Sequence, residues 1–210
     1  MKKIILALSV LTVMAFGGDY EDGLSAYENK NYKKAVELFT KLSDQGDALA
    51  QFNLGNMYSD GQGVKQDYKK AVELYTKSAV QGDALAQYNL GIMYKNGQGV
   101  KQDYKKAVAL YTKAANQGDA SAQSNLGFMY YNGQGVKQNY KKAIELYTKA
   151  IDQGSVVAQN NLGLLYVMGK GVKQDKIKAY QYWMKAAKQG DTQAQDNLDL
   201  LCEKSPWACK

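Results

Sequence analysis

The sequence predicts an all-α fold in which antiparallel helix pairs follow one another as a solenoid. The first observation is a period of 36 residues, which relates Gly55, Gly91, Gly127 and Gly163. The second is a set of asparagines with the same spacing: Asn53, Asn89, Asn125, Asn161 and Asn197. The third is the helical spacing of apolar residues within each copy, as at Ala86, Leu90 and Met93. A fixed period of this length is typical of stacked helical repeats.

The period divides the chain into four full copies, a shorter copy before them and a cap after them. The full copies are 47–82, 83–118, 119–154 and 155–190. Residues 18–46 resemble a shortened leading repeat, because Tyr27 lies 8 residues before Ala35 whereas Tyr58 lies 13 residues before Ala71. Residues 191–210 are predicted to form a C-terminal capping helix that ends in a disulfide.

Each copy carries the start signals of two helices. Short polar residues, which favour the position before a helix, precede the first helix at Asp47, Asp83, Asp119, Ser155 and Asp191. Similar residues precede the second helix at Asn31, Asp67, Asp103, Asn139 and Asp175. A glycine inside a helix costs about 1 kcal/mol relative to alanine. The return of the mid-helix glycine in every full copy therefore indicates that another helix passes close to it.

Residues 1–17 are predicted to be a secretory signal peptide. Lys2 and Lys3 precede an apolar run, Ile4–Phe16, that is short for a membrane span, and Ala15 and Gly17 are small residues suited to cleavage. Two alternatives remain open, a buried N-terminal helix and an uncleaved anchor. The signal peptide implies an exported protein, periplasmic or secreted, with membrane contact through this segment alone.

Composition disfavours several classes of function. The net charge of +7 comes from lysines that recur in every repeat rather than forming one basic stripe, which disfavours nucleic-acid binding. The sequence has no histidine, and two cysteines without histidine do not make an ordinary zinc site. It also lacks the G-x-S-x-G and S-x-x-K patterns of serine hydrolases. We therefore predict no catalytic residue, no metal and no cofactor.

The two cysteines, Cys202 and Cys209, are predicted to form a disulfide. One disulfide is the default for two cysteines in an exported protein. In the entropic model, closing so small a loop contributes roughly 2–3 kcal/mol. Pro206 lies between them and ends the helix, so the chain can fold back.

The motifs resemble those of the Sel-one-like repeat, a relative of the tetratricopeptide repeat. The resemblance is carried by the LGxMY pattern of the first helix, the GxGV loop and the D-Y-x-K-A-x-x-x-Y-x-K-A pattern of the second, and it covers 47–190 fully. It implies a right-handed α-solenoid with adaptor or scaffold roles, commonly in bacterial envelopes. A secreted cysteine-rich subgroup is described as penicillin-binding or weakly β-lactamase-active. Its intra-repeat cysteines correspond here to Ala79 and Gln87, and to Ala115 and Gln123.

Differences between the copies point to a binding surface on the first helices. By resemblance to tetratricopeptide repeats, three variable positions per copy line the concave face of the solenoid, and their apolar members have no obvious partner within their own repeat. The predicted groove residues at these positions are Phe52, Asn56, Tyr88, Ile92, Lys95, Ser124, Phe128, Tyr131, Asn160 and Leu164. Apolar patches bordered by polar groups often mark binding sites.

Four of the repeating asparagines border the same face: Asn53, Asn89, Asn125 and Asn161, here called the Asn ladder. Two interpretations remain open. The side chains either bridge neighbouring helices or form paired hydrogen bonds with the backbone of a bound peptide. We therefore expect an exported, monomeric, non-catalytic scaffold that binds a protein or peptide in its concave groove. A weak β-lactamase or cell-wall-directed hydrolase of the cysteine-rich type is the alternative.

Overall fold

The computed structural model describes residues 18–209, and every regular element within that range is helical. The first helix, α1, covers 18–28. It is followed by α2 (Tyr32–Asp44), α3 (Ala48–Asp60), α4 (Tyr68–Val80), α5 (Ala84–Asn96), α6 (Tyr104–Asn116), α7 (Ala120–Asn132), α8 (Tyr140–Asp152), α9 (Val156–Met168), α10 (Lys176–Ala187), α11 (Thr192–Lys204) and a 3₁₀ helix, Pro206–Cys209. The predicted all-α fold with a repeat of about 36 residues is confirmed.

The chain divides into two compact units, Met1–Gln102 (unit 1) and Asp103–Lys210 (unit 2). Within unit 1, α2 packs on α3, α3 on α4 and α4 on α5. Within unit 2, each helix from α6 to α11 packs on the next. The boundary falls in the loop between α5 and α6, inside the repeat predicted for 83–118, so the compact units do not follow the repeat boundaries.

The predicted caps form as hydrogen bonds. The Asp47 side chain accepts from the Ala50 amide at 2.7 Å, and that of Asp83 accepts from the Ala86 amide at 2.6 Å. Asp67 and Asn139 cap the second helices of their repeats in the same way. Each bond satisfies an amide that has no partner inside the helix, which explains why short polar residues recur there.

Apolar side chains from successive helices form the core of each unit. In unit 1, Phe39 and Leu42 of α2 pack with Leu54 of α3. In unit 2, Tyr147 of α8 packs with Leu162 of α9, and Trp183 of α10 packs with Leu198 of α11. Since neighbouring helices bury the same faces in each copy, the core consists of repeated layers.

The mid-helix glycines lie where two helices approach closely. A Cβ atom added to Gly55 would lie 2.8 Å from the ring of Tyr75, and one added to Gly163 would lie 2.5 Å from the indole nitrogen of Trp183. Both rings are buried and cannot swing away without disturbing the core. The prediction that another helix passes close to these glycines is confirmed at both positions.

In three repeats, a buried glutamine of the first helix bonds a glutamine that follows the second helix of the same repeat. The Gln81 amide donates to Gln51 Oε1 at 2.8 Å, and that of Gln153 donates to Gln123 Oε1 at 3.0 Å. Gln189 bonds Gln159 at 3.1 Å in the same manner. These bonds span 30 residues each and hold the two helices of a pair in register.

The C-terminal end is closed by the predicted disulfide between Cys202 and Cys209, which is confirmed. The disulfide holds the 3₁₀ helix against α11, and the buried Ser205 hydroxyl accepts a 2.8 Å bond from Lys176 Nζ of α10. The predicted signal peptide, 1–17, lies outside the described residues. Among the helices that are described, none is long and apolar enough to cross a membrane.

Candidate functional site

In unit 1 the predicted groove residues lie half-buried on two first helices. Phe52, Asn53 and Asn56 belong to α3. Tyr88, Asn89, Ile92 and Lys95 belong to α5. A hydrogen bond from the Asn89 amide to Asn56 joins the two helices at this face.

Asn56 is the centre of a polar cluster in unit 1. Its Oδ1 atom accepts a 2.7 Å hydrogen bond from the Tyr75 hydroxyl and a 3.1 Å hydrogen bond from the Asn89 amide. Burial raises the pKa of Tyr75 to about 12, while hydrogen bonds from Asn89 and Ser59 act in the opposite direction. The hydroxyl and amide that face this side of unit 1 are therefore used within the protein.

In unit 2 the same positions form a different cluster, because Phe128 takes the place of Asn56. Tyr147 corresponds to Tyr75 and Asn161 to Asn89, each 72 residues later. Neither the Tyr147 hydroxyl nor the Asn161 amide makes a hydrogen bond to any residue between 18 and 209. Burial raises the pKa of Tyr147 well above its usual range, so the hydroxyl stays protonated and able to donate.

Both of these groups open into one cavity of about 200 Å³. The cavity, here called the groove cavity, is lined by Phe128, Tyr131, Tyr147, Asn161, Leu164 and Gln193. Its walls are mostly apolar and carry no charged side chain. The groove cavity can thus accept an apolar group together with a hydrogen-bonding partner for Asn161 and Tyr147.

A second pocket of about 200 Å³ lies on the other side of Leu164. It is lined by Leu164, Val167, Lys176, Trp183, Asn197, Leu200, Leu201, Lys204 and Ser205. Leu200 is 49% exposed and lies 36 residues after Leu164, so it continues the predicted row of groove residues. Unit 2 therefore presents two small apolar pockets that share one wall.

The family model of the Sel1 repeat matches residues 14–47, 48–83, 84–119, 120–155 and 156–191. The chain belongs to the Sel1 repeat family. This confirms the resemblance drawn from the sequence motifs, and it adds a matched repeat at 14–47, where the sequence analysis expected a shortened copy from residue 18. Sel1 repeat proteins generally mediate protein–protein interactions.

Two solved structures share this Sel1 fold at 37% sequence identity. One is c5321, described as a protective antigen present in uropathogenic Escherichia coli strains; its TM-score is 0.83, and the match covers 91% of this chain and 43% of that one. The other is a Sel1 repeat protein from Oxalobacter formigenes, with a TM-score of 0.80 and coverage of 85% and 73%. The present chain therefore spans less than half the length of c5321. A search of curated proteins found no match.

Two predicted groove residues are not presented at the surface. Ser124 and Asn160 are 5% and 4% exposed. The Ser124 hydroxyl bonds that of Ser155 at 2.9 Å, and Asn160 donates to Gln193 Oε1 at 3.1 Å. The expectation that both line an open groove is corrected, because their polar groups join neighbouring helices of the Sel1 repeats.

Phe52 and Tyr131 have neighbours that the sequence analysis did not foresee. The Phe52 ring packs on Tyr75 of the same repeat, with ring centroids 6.1 Å apart. Tyr131 packs on Tyr140 at 5.6 Å, and Lys170 Nζ lies 5.4 Å from its ring centroid. The expectation that such side chains lack a partner in their own repeat is therefore wrong for these two residues.

Two side chains of the Asn ladder form hydrogen bonds between helices. Asn53 donates to the Tyr20 hydroxyl at 2.9 Å, and Asn89 donates to Asn56. Asn197, one period beyond the ladder, donates to Asn160 Oδ1 at 2.9 Å. Asn125 lies half-buried on α7. Asn161 differs from Asn89 in this respect. Asn89 bonds the residue 33 positions before it, Asn56, whereas the residue 33 positions before Asn161 is Phe128, whose side chain cannot form a hydrogen bond.

Sequence reasoning missed four residues of this surface: Tyr147, Gln193, Leu200 and Lys204. Extending the 36-residue register once past Leu164 would have found Leu200. Tyr147 gave no such signal, because its position is a core position in every copy. Among the described residues, no cluster of histidine, cysteine, aspartate or glutamate could hold a metal ion.

Proposed function

We propose that this Sel1 repeat protein is an exported, non-catalytic, monomeric scaffold that binds a segment of polypeptide in the groove of unit 2. The observation that carries the proposal is the pair of unused polar groups, Tyr147 and Asn161, in an otherwise apolar cavity. Both groups face solvent through the cavity, so a ligand can reach them without first breaking a hydrogen bond within the protein. A ligand that supplies the missing bonds is therefore favoured.

The chemistry of the groove cavity fits a peptide bond next to an apolar side chain. The Asn161 amide offers one donor and one acceptor side by side, which matches the N–H and C=O of an extended backbone. Phe128, Tyr131 and Leu164 supply apolar contact around it. Large aromatic residues of this kind provide much of the binding energy at interfaces.

The size of the pockets also favours a polypeptide over a compact small molecule. Each of the two pockets measures about 200 Å³, whereas sites for drug-sized ligands usually occupy about 300–1,000 Å³. A chain that places successive apolar side chains in two small pockets, on either side of Leu164, uses this surface fully. In unit 1, Tyr88, Ile92, Lys95 and Phe52 are proposed to add contacts rather than the central hydrogen bonds.

Export is part of the proposal and has two supports. The sequence of 1–17 has the pattern of a signal peptide, and the Cys202–Cys209 disulfide suits an oxidising compartment. Mature protein recovered from the cell envelope should begin between about residues 16 and 19 and contain no free thiol. An intact mass that includes Met1, or two alkylated cysteines, would contradict export.

The binding proposal is tested by selecting peptides from a displayed random library on immobilised protein and measuring their affinity by calorimetry. The decisive variant is Phe128→Asn, which recreates in unit 2 the acceptor that Asn56 provides in unit 1. The new side chain should accept hydrogen bonds from the Tyr147 hydroxyl and the Asn161 amide, so that neither is left for a peptide. Peptide binding should weaken about 10- to 100-fold, as expected for the loss of about 1–3 kcal/mol. Asn161→Ala should weaken binding by a similar factor.

The matched control is Val80→Asn, the same kind of change at a side chain that is 82% exposed and lines neither pocket. It should leave the affinity of the selected peptides within about threefold. If no peptide is enriched, or if the two variants weaken binding equally, the groove of unit 2 is not the binding site. Circular dichroism of every variant separates lost binding from lost folding.

The hydrolase alternative stays a prediction from the cysteine-rich subgroup. Nitrocefin turnover by purified protein is the measurement that would favour this alternative over a binding scaffold.

A further inference from the structure

An open cleft of about 680 Å³ lies at the C-terminal end of unit 2, and it shares no residue with the groove cavity. It is lined by Tyr166, the segment 172–178 and Trp207. Trp207 belongs to the 3₁₀ helix that the disulfide holds in place, and it is 61% exposed. The indole therefore offers an open aromatic face beside the cleft.

The cleft lies where, in earlier repeats, a glycine-rich loop covers the start of the second helix. Earlier in the chain, the glycine-rich loop of one repeat packs on the first turn of the preceding second helix. A Cβ atom on Gly63 would lie 2.7 Å from Tyr32, and one on Gly171 would lie 2.6 Å from Tyr140. In α10 the position of Tyr140 is taken by Lys176, and the side chain of Trp207 lies there instead.

The cleft is positively charged. Lys173, Lys176 and Lys178 line it, and Asp175 is its only carboxylate. None of these lysines forms an ion pair with a residue between 18 and 209. One oxygen of Asp175 accepts the Lys178 backbone amide at 2.9 Å as the helix cap. A negatively charged ligand would therefore meet three ammonium groups and little repulsion.

Hydrogen-bonding capacity in the cleft is strongly biased towards donors. Each lysine offers three donors and no acceptor. Lys176 uses one donor on Ser205, and the Gln174 amide nitrogen is used on Val167 O at 2.7 Å. A peptide brings its own N–H donors, which would find few acceptors here. A ligand rich in acceptors, with several anionic groups, matches this cleft better.

The aromatic residues indicate the body of that ligand. Lys176 Nζ lies 5.9 Å from the Trp207 ring centroid, and Lys178 Nζ lies 5.3 Å from that of Tyr166. An ammonium thus accompanies each ring, while most of the indole remains open to solvent. The negative face of an aromatic ring attracts the slightly positive C–H groups of a sugar ring. A cleft of this volume is large enough for one or two sugar rings.

We propose that this cleft is a second binding site and that it takes a saccharide carrying several anionic groups. Trp207 contacts the sugar ring, and Lys173 and Lys178 bind its anionic groups. Lys176 positions Trp207 through Ser205 and the indole. The cleft shares no residue with the groove cavity and only Lys176 with the second pocket, so changes at Lys173 and Lys178 test it separately from the peptide proposal.

The test uses the intrinsic fluorescence of the full chain, which has two tryptophans. Trp183 is 3% exposed, so a ligand in the cleft should change the emission of Trp207 alone. The probe is sucrose octasulfate, and neutral sucrose is its matched control. We expect saturable quenching by the sulfated sugar that weakens at least tenfold between 50 and 500 mM salt, because salt screens exposed charges, with no response to sucrose at equal concentration.

Variants locate the site. The double change Lys173→Gln and Lys178→Gln should weaken binding of the sulfated sugar more than tenfold. Lys137→Gln, the position of Lys173 one repeat earlier, removes a charge elsewhere and should change affinity less than twofold. Calorimetry with Trp207→Phe should show at least a threefold loss, since the smaller ring gives less contact.

Three results would overturn the proposal. Inorganic sulfate that competes at the same sulfate concentration as the sugar would show general anion binding only. A tetraglutamate peptide that binds as tightly as sucrose octasulfate would show that the sugar body is not recognised. Equal losses in the double variant and in Lys137→Gln would show that the binding comes from net charge rather than from this cleft.

Discussion

Unit 1 and unit 2 place the same tyrosine and the same asparagine around one variable position, with opposite results. Where that position is Asn56, Tyr75 and Asn89 both bond to it and the face is internally satisfied. Where it is Phe128, Tyr147 and Asn161 have no such partner and open into the groove cavity. A binding surface can thus arise from the loss of one internal acceptor on an unchanged scaffold.

The comparison also explains why the scaffold tolerates such a change. The glycines, the glutamines and the capping residues hold the helix pairs in register in both units. Because those contacts do not involve the variable position, its side chain can change without altering the helix pairs. The repeat therefore separates residues that maintain packing from residues that determine what the surface can bind.

The largest expected effect tests the shared scaffold. Gly163→Ala should destabilise the protein by about 3 kcal/mol, because the added Cβ displaces the buried indole of Trp183 and a core of this density resists overpacking. The indole would also lose its 3.0 Å bond to Asn160 O. Urea unfolding measures the change.

Gly55→Ala is the counterpart in unit 1, where the contact is with the Tyr75 ring. It should cost somewhat less, about 1–3 kcal/mol, since no indole bond is broken there. If either alanine variant has the same urea midpoint as wild type, the close approach of the helices does not contribute to the free energy of unfolding.

The next effect exchanges the variable residues. Asn56→Phe should destabilise unit 1 by about 2 kcal/mol, because it leaves the Tyr75 hydroxyl and the Asn89 amide without their acceptor. Phe128→Asn should stay within about 1 kcal/mol of wild type, since two new hydrogen bonds offset the lost apolar contact. Equal destabilisation of the two variants in thermal and urea melts would show that the clusters do not differ in this way.

A third prediction concerns alkaline pH. The pKa of Tyr75 is raised to about 12 in the folded protein, against about 10 for an exposed tyrosine. Tyr75 therefore contributes fully to stability below pH 10. This contribution is lost as the pH rises towards 12, because the hydroxyl ionises more readily in the unfolded chain than in the folded protein. Between pH 9 and 11, wild type should lose about 1 kcal/mol more than Tyr75→Phe.

The smallest effects belong to the exposed ion pairs. In unit 1 Glu73 pairs with Lys77 at 2.7 Å, and in unit 2 Glu145 pairs with both Lys142 and Lys149. The hydrogen bond from lysine lowers the pKa of each glutamate, chiefly from Lys77 and Lys142 respectively. Each glutamate-to-glutamine change should cost about 0.2–0.5 kcal/mol at low salt. A loss above about 1 kcal/mol in 0.5 M salt would contradict a surface role.

Much of the fold could be predicted because its determinants are local or periodic. The caps at Asp47 and Asp67, the close approach at Gly55 and the disulfide at Cys202 all follow from residue type and spacing. The groove was predicted less well for a physical reason. Ser124 and Asn160 occupy surface-like positions of the period, yet bonds to Ser155 and Gln193 draw them into the helix interface.

The sequence by itself determined the repeat length, the helix boundaries, the disulfide and the row of variable positions, because each depends on neighbours within about one helical turn or on exact repetition. Only the tertiary structure decided which polar side chains form hydrogen bonds within the protein and which can bond a ligand. Tyr75 and Asn56 are 19 residues apart, and Asn89 and Asn56 are 33 apart. Whether such groups meet depends on how helix pairs stack, so the unused bonds of Tyr147 and Asn161 become visible only when the packed helices are known.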